Sequence, residues 1–360
     1  MKYILIFIIF FLSLTKSNAQ VLDWVYSLGN AKDDTGFNCM KMDSSGNQYL
    51  AGIFEGIFDF DPGVNEYFLE AAYNSYSLYV LKLDSEGNFL WVKKIDKVSI
   101  VSMDVDKSGN IILIGGYSQT VDFDPGPNVY NMTSVNNKYI LKLDNNGNFL
   151  WGLQGQDLKM EQCKFDNNGN IYISGGFAFS VIHDADPGSD TFILSDDLGE
   201  NFYISKLDLN GNFINAICFG RCNQVDEDED MNSFIIDDNG NIYITGSFDE
   251  TVDFDPGPNT YNLSNPAGSY ETGGDQGDIF IAKYNENMEL IWAKRVGGNN
   301  YDEGVDIKIN KSGKLYILVN ALGSVDFNPG TGTFNIINCS LGYILVLDND
   351  GNFVKVKKTA

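Results

Sequence analysis

Nine carboxylates carried by one recurring phrase are the groups best placed to do chemistry in this 360-residue chain. The phrase reads Val252-Asp-Phe-Asp-Pro-Gly-Pro-Asn259 and, almost unchanged, Val121-Asp-Phe-Asp-Pro-Gly-Pro-Asn128. Looser copies are Phe58-Asp-Phe-Asp-Pro-Gly63, Ile182-His-Asp-Ala-Asp-Pro-Gly188 and Val325-Asp-Phe-Asn-Pro-Gly330. The acids pair as Asp59 with Asp61, Asp122 with Asp124, Asp184 with Asp186 and Asp253 with Asp255. Asp326 stands alone because Asn328 takes the second place. Residues two apart on an extended chain face the same side. Paired carboxylates with backbone carbonyls nearby suit a hard cation, so calcium is the cofactor this pattern admits. The same words also spell a turn, with Pro second, Gly third and Asp capping through its side chain. The turn accounts for the words without a metal, and no other cofactor is expected.

Other chemistry is sparse. The single histidine, His183, sits in the most degenerate copy of the phrase. A Ser/His/Asp or Cys/His nucleophile would have to use it, and nothing in the other copies echoes it. The cysteines are Cys39, Cys163, Cys218, Cys222 and Cys339, an odd number that leaves at least one thiol unpaired. Cys218 and Cys222 are spaced for a small disulfide, and buried thiols are an equal alternative. The acidic run Asp226–Asp230 breaks the repeat and reads as a solvated loop. No zinc-protease, P-loop or dinucleotide motif is present. No residue is therefore singled out as catalytic, and the chain is expected not to be an enzyme.

The elements that position these groups follow from the spacing. The first Asp of each phrase follows the last by 63, 62, 69 and 73 residues, the mark of a repeat architecture. Each repeat holds four short apolar runs, β-branched and aromatic, bounded by Gly, Asn and Asp. That is strand chemistry. Turns such as Asp43-Ser-Ser-Gly-Asn47 and Asp144-Asn-Asn-Gly-Asn148 separate the first two and the last two runs, giving two hairpins per repeat. The phrase forms an excursion between the second and third strands. A lone four-stranded sheet cannot bury both faces, and stacked sheets can, so the fold is expected to be an all-β propeller of about five four-stranded antiparallel blades. Met40/Met42, Met103/Val105, Cys163/Phe165, Phe234/Ile236 and Ile307/Ile309 are the expected packing positions of the first strands. Trp24, Trp91, Trp151 and Trp292 are expected to pack between blades.

Residues 1–19 read as a secretory signal: Lys2, the apolar run Ile4 to Leu14, and Ser17-Asn-Ala19 before the cut. The run is too short to span a bilayer, and no later stretch is long enough. Residues 20–360 form one propeller domain, with repeats near 30–95, 96–155, 156–220, 221–297 and 298–358. The strand Trp24-Val-Tyr-Ser-Leu28 has no blade of its own; either it adds a fifth strand to the last blade or the chain is a piece of a longer ring, and five closed blades are the expectation. The formal charge is −25, and losing Lys2 and Lys16 makes it more negative still. Such a surface repels phosphate backbones and anionic lipid, which argues against nucleic acid as a partner. Hydrophobic content of 43% is ample for a packed core.

The words Asp-Asn-Gly-Asn-Ile-Tyr-Ile-Thr-Gly-Ser-Phe (238–248), Asp-Ile-Phe-Ile-Ala-Lys-Tyr (278–284) and Leu-Ile-Trp-Ala-Lys-Arg-Val-Gly-Gly (290–298) resemble the SBBP-type β-propeller repeat of exported bacterial proteins. The resemblance runs through residues 21–358. It implies an exported protein, extracellular, at the cell surface or in the periplasm, and says little about activity. Near-equal repeats argue against catalysis, so a monomeric binding or scaffold module for a protein or glycan is the expectation. Many such proteins end in a sorting or adhesion module, and none follows the strand Phe353-Val-Lys-Val-Lys357 before Ala360. The alternative is a carbohydrate-active enzyme of the glycoside hydrolase type, which needs an acid and a base that break the repeat.

Overall fold

A computed structural model describes residues 35–71, 75–155, 158–177, 183–194, 201–220, 230–265 and 277–359. The signal-like segment, the Trp24 strand, Cys222 and the acidic run up to Glu229 lie outside them. The chain divides into two compact units, Met1–Gly155 and Gln156–Ala360, and the division falls between the second and third repeats.

The first unit holds two repeats. Repeat 1 runs β1 (Thr35–Met42), β2 (Gln48–Phe54), β3 (Ile57–Asp59), β4 (Phe68–Glu70), β5 (Ser77–Leu83) and β6 (Phe89–Asp96). Repeat 2 runs β7 (Ser102–Val105), β8 (Ile111–Gly116), β9 (Thr120–Asp122), β10 (Asn131–Thr133), β11 (Lys138–Leu143) and β12 (Phe149–Gln154). The second unit holds three. Repeat 3 is β13 (Gln162–Phe165), β14 (Ile171–Phe177), β15 (His183–Asp184), β16 (Ile193–Leu194), β17 (Asn201–Leu207) and β18 (Phe213–Gly220). Repeat 4 is β19 (Asp230–Ile236), β20 (Ile242–Phe248), β21 (Thr251–Asp253), β22 (Asn262–Ser264), β23 (Asp278–Tyr284) and β24 (Leu290–Gly298). Repeat 5 is β25 (Glu303–Ile309), β26 (Leu315–Asp326), β27 (Asn335–Leu347) and β28 (Phe353–Lys358).

Every repeat is one four-stranded antiparallel meander, ordered β1-β2-β5-β6 in the first and likewise in the rest. The fold is an all-β propeller type whose blades are these sheets. The recurring phrase lies in a two-stranded ribbon between the second and third strands: β3-β4, β9-β10, β15-β16 and β21-β22. In repeat 5 the ribbon is continuous with its blade, because β26 and β27 stay paired as far as Asp326↔Asn335.

The turns explain the register. In the first hairpin Asp43 Oδ1 accepts from the backbone N–H of Ser45 at 2.9 Å and of Asn47 at 3.0 Å, while Gly46 takes φ 84°. The amide of Asn47 donates to Asp43 Oδ2 at 2.7 Å. The same three bonds recur around Asp84, Asp106, Asp144, Asp166, Asp208, Asp237 and Asp348. The turn of Asn285 departs from the wording, and there Met288 takes the left-handed position at φ 66°. A β-bulge recurs in the last hairpin, between Lys82 and Leu83 in repeat 1 and at the matching place in the other four.

Apolar residues alternate onto the sheet faces, and the cores lie between successive sheets. Tyr49, Ala51, Leu78 and Val80 of repeat 1 pack on Met103, Ile111, Leu113 and Leu141 of repeat 2. Tyr243, Ile279 and Ile281 of repeat 4 pack on Ile307, Leu315, Ile317 and Leu345 of repeat 5. A polar clasp ties the same faces. Lys82 reaches over the Tyr49 ring, 4.7 Å from its centre, and donates to Asn145 O at 3.1 Å, while Trp91 Nε1 donates to the same oxygen at 3.3 Å. Lys283, Tyr243 and Trp292 repeat the arrangement on Asn349. Lys206 does so over Tyr172 and onto Glu286 O, without the Trp. The inter-blade role expected of the tryptophans therefore holds for Trp91 and Trp292. The expected first-strand packing holds at Met103, Cys163, Phe234 and Ile307, all fully buried, but in repeat 1 Met40 is only half-buried and Met42 is exposed.

Candidate functional site

The recurring phrase is one hydrogen-bonded unit in all five copies. Asp59 Oδ1 accepts from the backbone N–H of Asp61 at 3.1 Å and of Tyr67 at 2.8 Å, and Asp61 Oδ1 accepts from Gly63 N at 2.7 Å. Asp122 with Asp124, Asp184 with Asp186 and Asp253 with Asp255 make the same three bonds. Asp326 and Asn328 do so in repeat 5, which shows that the second acid is replaceable by its amide. Between the two acids the chain points the other way, and Phe60, Phe123, Ala185, Phe254 and Phe327 enter the core. The phrase is thus a plug with a capped turn: one side chain inward, two outward and tied to backbone.

Calcium takes six to eight oxygens, as a rule of thumb. The structure brings the expected ligands together two to a phrase, as the spacing predicts. Asp59, Asp122, Asp184, Asp253 and Asp326 each cap two backbone N–H groups of their own excursion rather than standing open to an ion. Asp61, Asp124, Asp186 and Asp255 each cap the glycine N–H of the Pro-Gly turn. No group of three or more His, Cys, Asp or Glu side chains gathers among the described residues. Each motif therefore offers an ion two side chains, both already accepting from N–H groups. Calcium at these nine acids stays a proposal, with two side chains of each phrase as its ligands and any further oxygens left to backbone and water. The remaining candidates are structural in their surroundings. His183 is buried in β15, paired across to Leu194. Cys39 is a half-buried thiol directed at Val101 O, and Cys339 a buried one directed at Ile336 O. Burial pushes the Cys39 thiol above its usual range.

A cleft of about 320 Å³ opens in the second unit between the excursions of repeats 4 and 5. Its walls are Tyr261 and Leu263 from one excursion and Asp326, Asn328, Pro329 and Gly330 from the next; Lys294, Arg295 and Gly297 of β24 form its floor. Tyr261 is held there by its backbone bond to Asp253 and by its hydroxyl, which donates to Ala293 O at 3.3 Å. In the other repeats the equivalent aromatic packs on a Phe that opens the last strand: Tyr67–Phe89, Tyr130–Phe149, Phe192–Phe213 and Phe334–Phe353, with ring centres 4.5–5.0 Å apart. Repeat 4 has Leu290 at that place, and the Tyr261 ring has no aromatic partner among the described residues. A half-exposed ring, two cations, an acid and an amide thus converge on one opening.

Behind the floor lie two carboxyls, of which Asp278 breaks the repeat. Asp278 opens β23 where the other repeats have Ser77, Asn137, Asn201 and Leu341. It is fully buried and ion-paired through Oδ2 to Arg295 Nε. Asp302, also fully buried, accepts from Leu322 N at 2.8 Å, and its own N–H donates to Gly277 O at 2.7 Å. Burial raises both, against the pull of Arg295 on Asp278 and of the Leu322 N–H on Asp302: Asp278 to about 6 and Asp302 to about 7. The Asp278 charge is a further cause for Asp302. Gly297 is obligatory here, because a Cβ would come within 1.7 Å of Asp278 Oδ1.

The sequence reading singled out the phrase and missed Tyr261, Arg295, Asp278 and Asp302. A position-by-position comparison of the repeats would have found the Leu290 and Asp278 departures. The 0% exposure of the two acids could not have been read from it.

No family model matches the chain. An uncharacterised WD repeat-containing protein of Acanthamoeba polyphaga mimivirus is 24% identical over 265 residues, which is 63% of this chain and 18% of that protein. The chain therefore spans about a fifth of that relative's length. Among solved structures, the Pan2 WD40 domain of Neurospora crassa aligns with 88% of this chain and 87% of its own at 9% identity and TM-score 0.40. The acylaminoacyl peptidase of Pyrococcus horikoshii aligns with 91% of this chain and 46% of its own at 13% identity and TM-score 0.38. Among the described residues no helix is long and apolar enough to cross a membrane.

Proposed function

We propose that this protein is an exported, monomeric β-propeller that acts as a binding or scaffold module, and that it takes a glycan in the cleft between the excursions of repeats 4 and 5. The observation that carries this reading is Tyr261, the excursion aromatic whose Phe partner is replaced by Leu290, beside Lys294, Arg295, Asp326 and Asn328. A sugar offers an apolar face to a ring and hydroxyls to a mixed set of donors and acceptors, and such a site needs few polar groups if they converge. Export is supported by the signal-like residues 1–19 and by the SBBP-type wording. It would place the protein in the periplasm, at the cell surface or outside the cell.

Binding without turnover is the favoured reading for two reasons. The five repeats present near-identical groups, whereas catalysis needs unlike groups in one place. Among the described residues the two carboxyls nearest the cleft floor, Asp278 and Asp302, are fully buried and out of a substrate's reach. Calorimetric titration with a panel of soluble oligosaccharides is the test. A glycan that binds should lose about tenfold or more in affinity with Tyr261→Ala, roughly the 1.4 kcal/mol that a lost aromatic contact represents. Release of reducing ends from a bound polysaccharide would instead establish the glycoside hydrolase alternative.

A further inference from the structure

Asp278 and Asp302 present an acceptor count that does not balance. Asp278 Oδ2 has Arg295, and Asp302 Oδ1 has the Leu322 N–H. Asp278 Oδ1 and Asp302 Oδ2 are buried and no well-formed hydrogen bond reaches either among the described residues, the Gly298 N–H pulling on both carboxyls from nearby. Poorly served acceptors in a buried site are costly, and two carboxylates against one guanidinium leave a net buried charge. One proton brings the trio to neutrality and turns one acceptor into an O–H donor. Among the described residues the other charged and titratable side chains at this junction are Asp249 after β20, Tyr301 before β25 and Glu303 at its start; Tyr301 O–H reaches Glu303 Oε2 at 3.4 Å. The acids in that set add to the repulsion and supply no proton-independent donor to either oxygen.

The two acids also join separate elements. Asp278 opens the third strand of repeat 4, and Asp302 leads into the first strand of repeat 5 and caps its second through Leu322. We propose that Asp278, Asp302 and Arg295 form a proton-operated clamp between repeats 4 and 5, closed while the two carboxyls hold one proton and loosened when both ionise. The proposal does not depend on what fills the cleft.

The sign of the effect follows from linkage. A carboxyl whose folded-state pKa lies above its unfolded value binds more protons in the folded state, so stability falls as pH rises from the ordinary carboxylate range near 4 through the folded values of about 6 and 7. Asp302→Asn keeps an acceptor for Leu322 N–H and carries a permanent donor, so it imitates the closed clamp. Thermal melts of the whole protein between pH 5 and 8 give the test. The wild type should lose melting temperature across that range, Asp302→Asn should lose markedly less, and Asp278→Asn should also flatten the slope even if Arg295 costs it stability overall. Infrared difference spectra of the wild type should show a protonated-carboxyl band at pH 6 that Asp302→Asn lacks. Parallel slopes in wild type and both variants, or no such band, would overturn the clamp.

Discussion

At the scale of single residues, the recurring Asp is a backbone organiser. Asp253 Oδ1 holds two N–H groups, those of Asp255 and of Tyr261, the latter eight residues further along the chain. Asp253→Ala should lower the unfolding free energy by about 1–3 kcal/mol, because two donors lose their acceptor, and Asp253→Asn should recover most of it. Urea denaturation measures the difference. The same pair tests the calcium reading. Millimolar CaCl₂ and NaCl of matched ionic strength should raise the melting temperature equally, as screening of the −25 charge would. A calcium-specific increment that shrinks when Asp253 and Asp255 are both changed to Ala would make the phrase an ion site. The phrase itself was fully legible in the sequence, and so were both readings of it. What wording could not reveal is that each Oδ1 is already committed to backbone, since that depends on the ribbon bringing Tyr261 back beside Asp253.

At the scale of elements, strands and turns were legible because local rules suffice. Asp-x-x-Gly-Asn specifies a hairpin through its own side-chain bonds, and alternating apolar residues set the faces. The clasp between sheets was not, since Lys82, Trp91 and Asn145 meet only after two repeats have stacked. Trp292→Phe and Trp91→Phe should each cost about 1 kcal/mol in urea unfolding, the usual net worth of one hydrogen bond, because the ring volume is largely kept. The Met40/Met42 pair shows where the pattern argument fails. Equivalent wording does not by itself fix burial, and in repeat 1 Met42 is left 43% exposed.

At the scale of the whole molecule, near-repetition gives the fold and the departures from it give the site. Most of the chain serves one architecture, and the cleft arises where repeat 4 substitutes Leu290 for Phe and Asp278 for a neutral residue. A single sequence conceals such departures until the repeats are aligned on their turns, and it conceals burial altogether. The central claim is that ligand enters between the excursions of repeats 4 and 5. Hydrogen exchange read by mass spectrometry, with and without a bound oligosaccharide, tests it most directly. Protection should rise in the segments around 259–264, 293–298 and 326–332 and stay unchanged in the matching segments of repeats 1 and 2. Protection spread evenly over all five excursions, or confined to residues outside those segments, would contradict it.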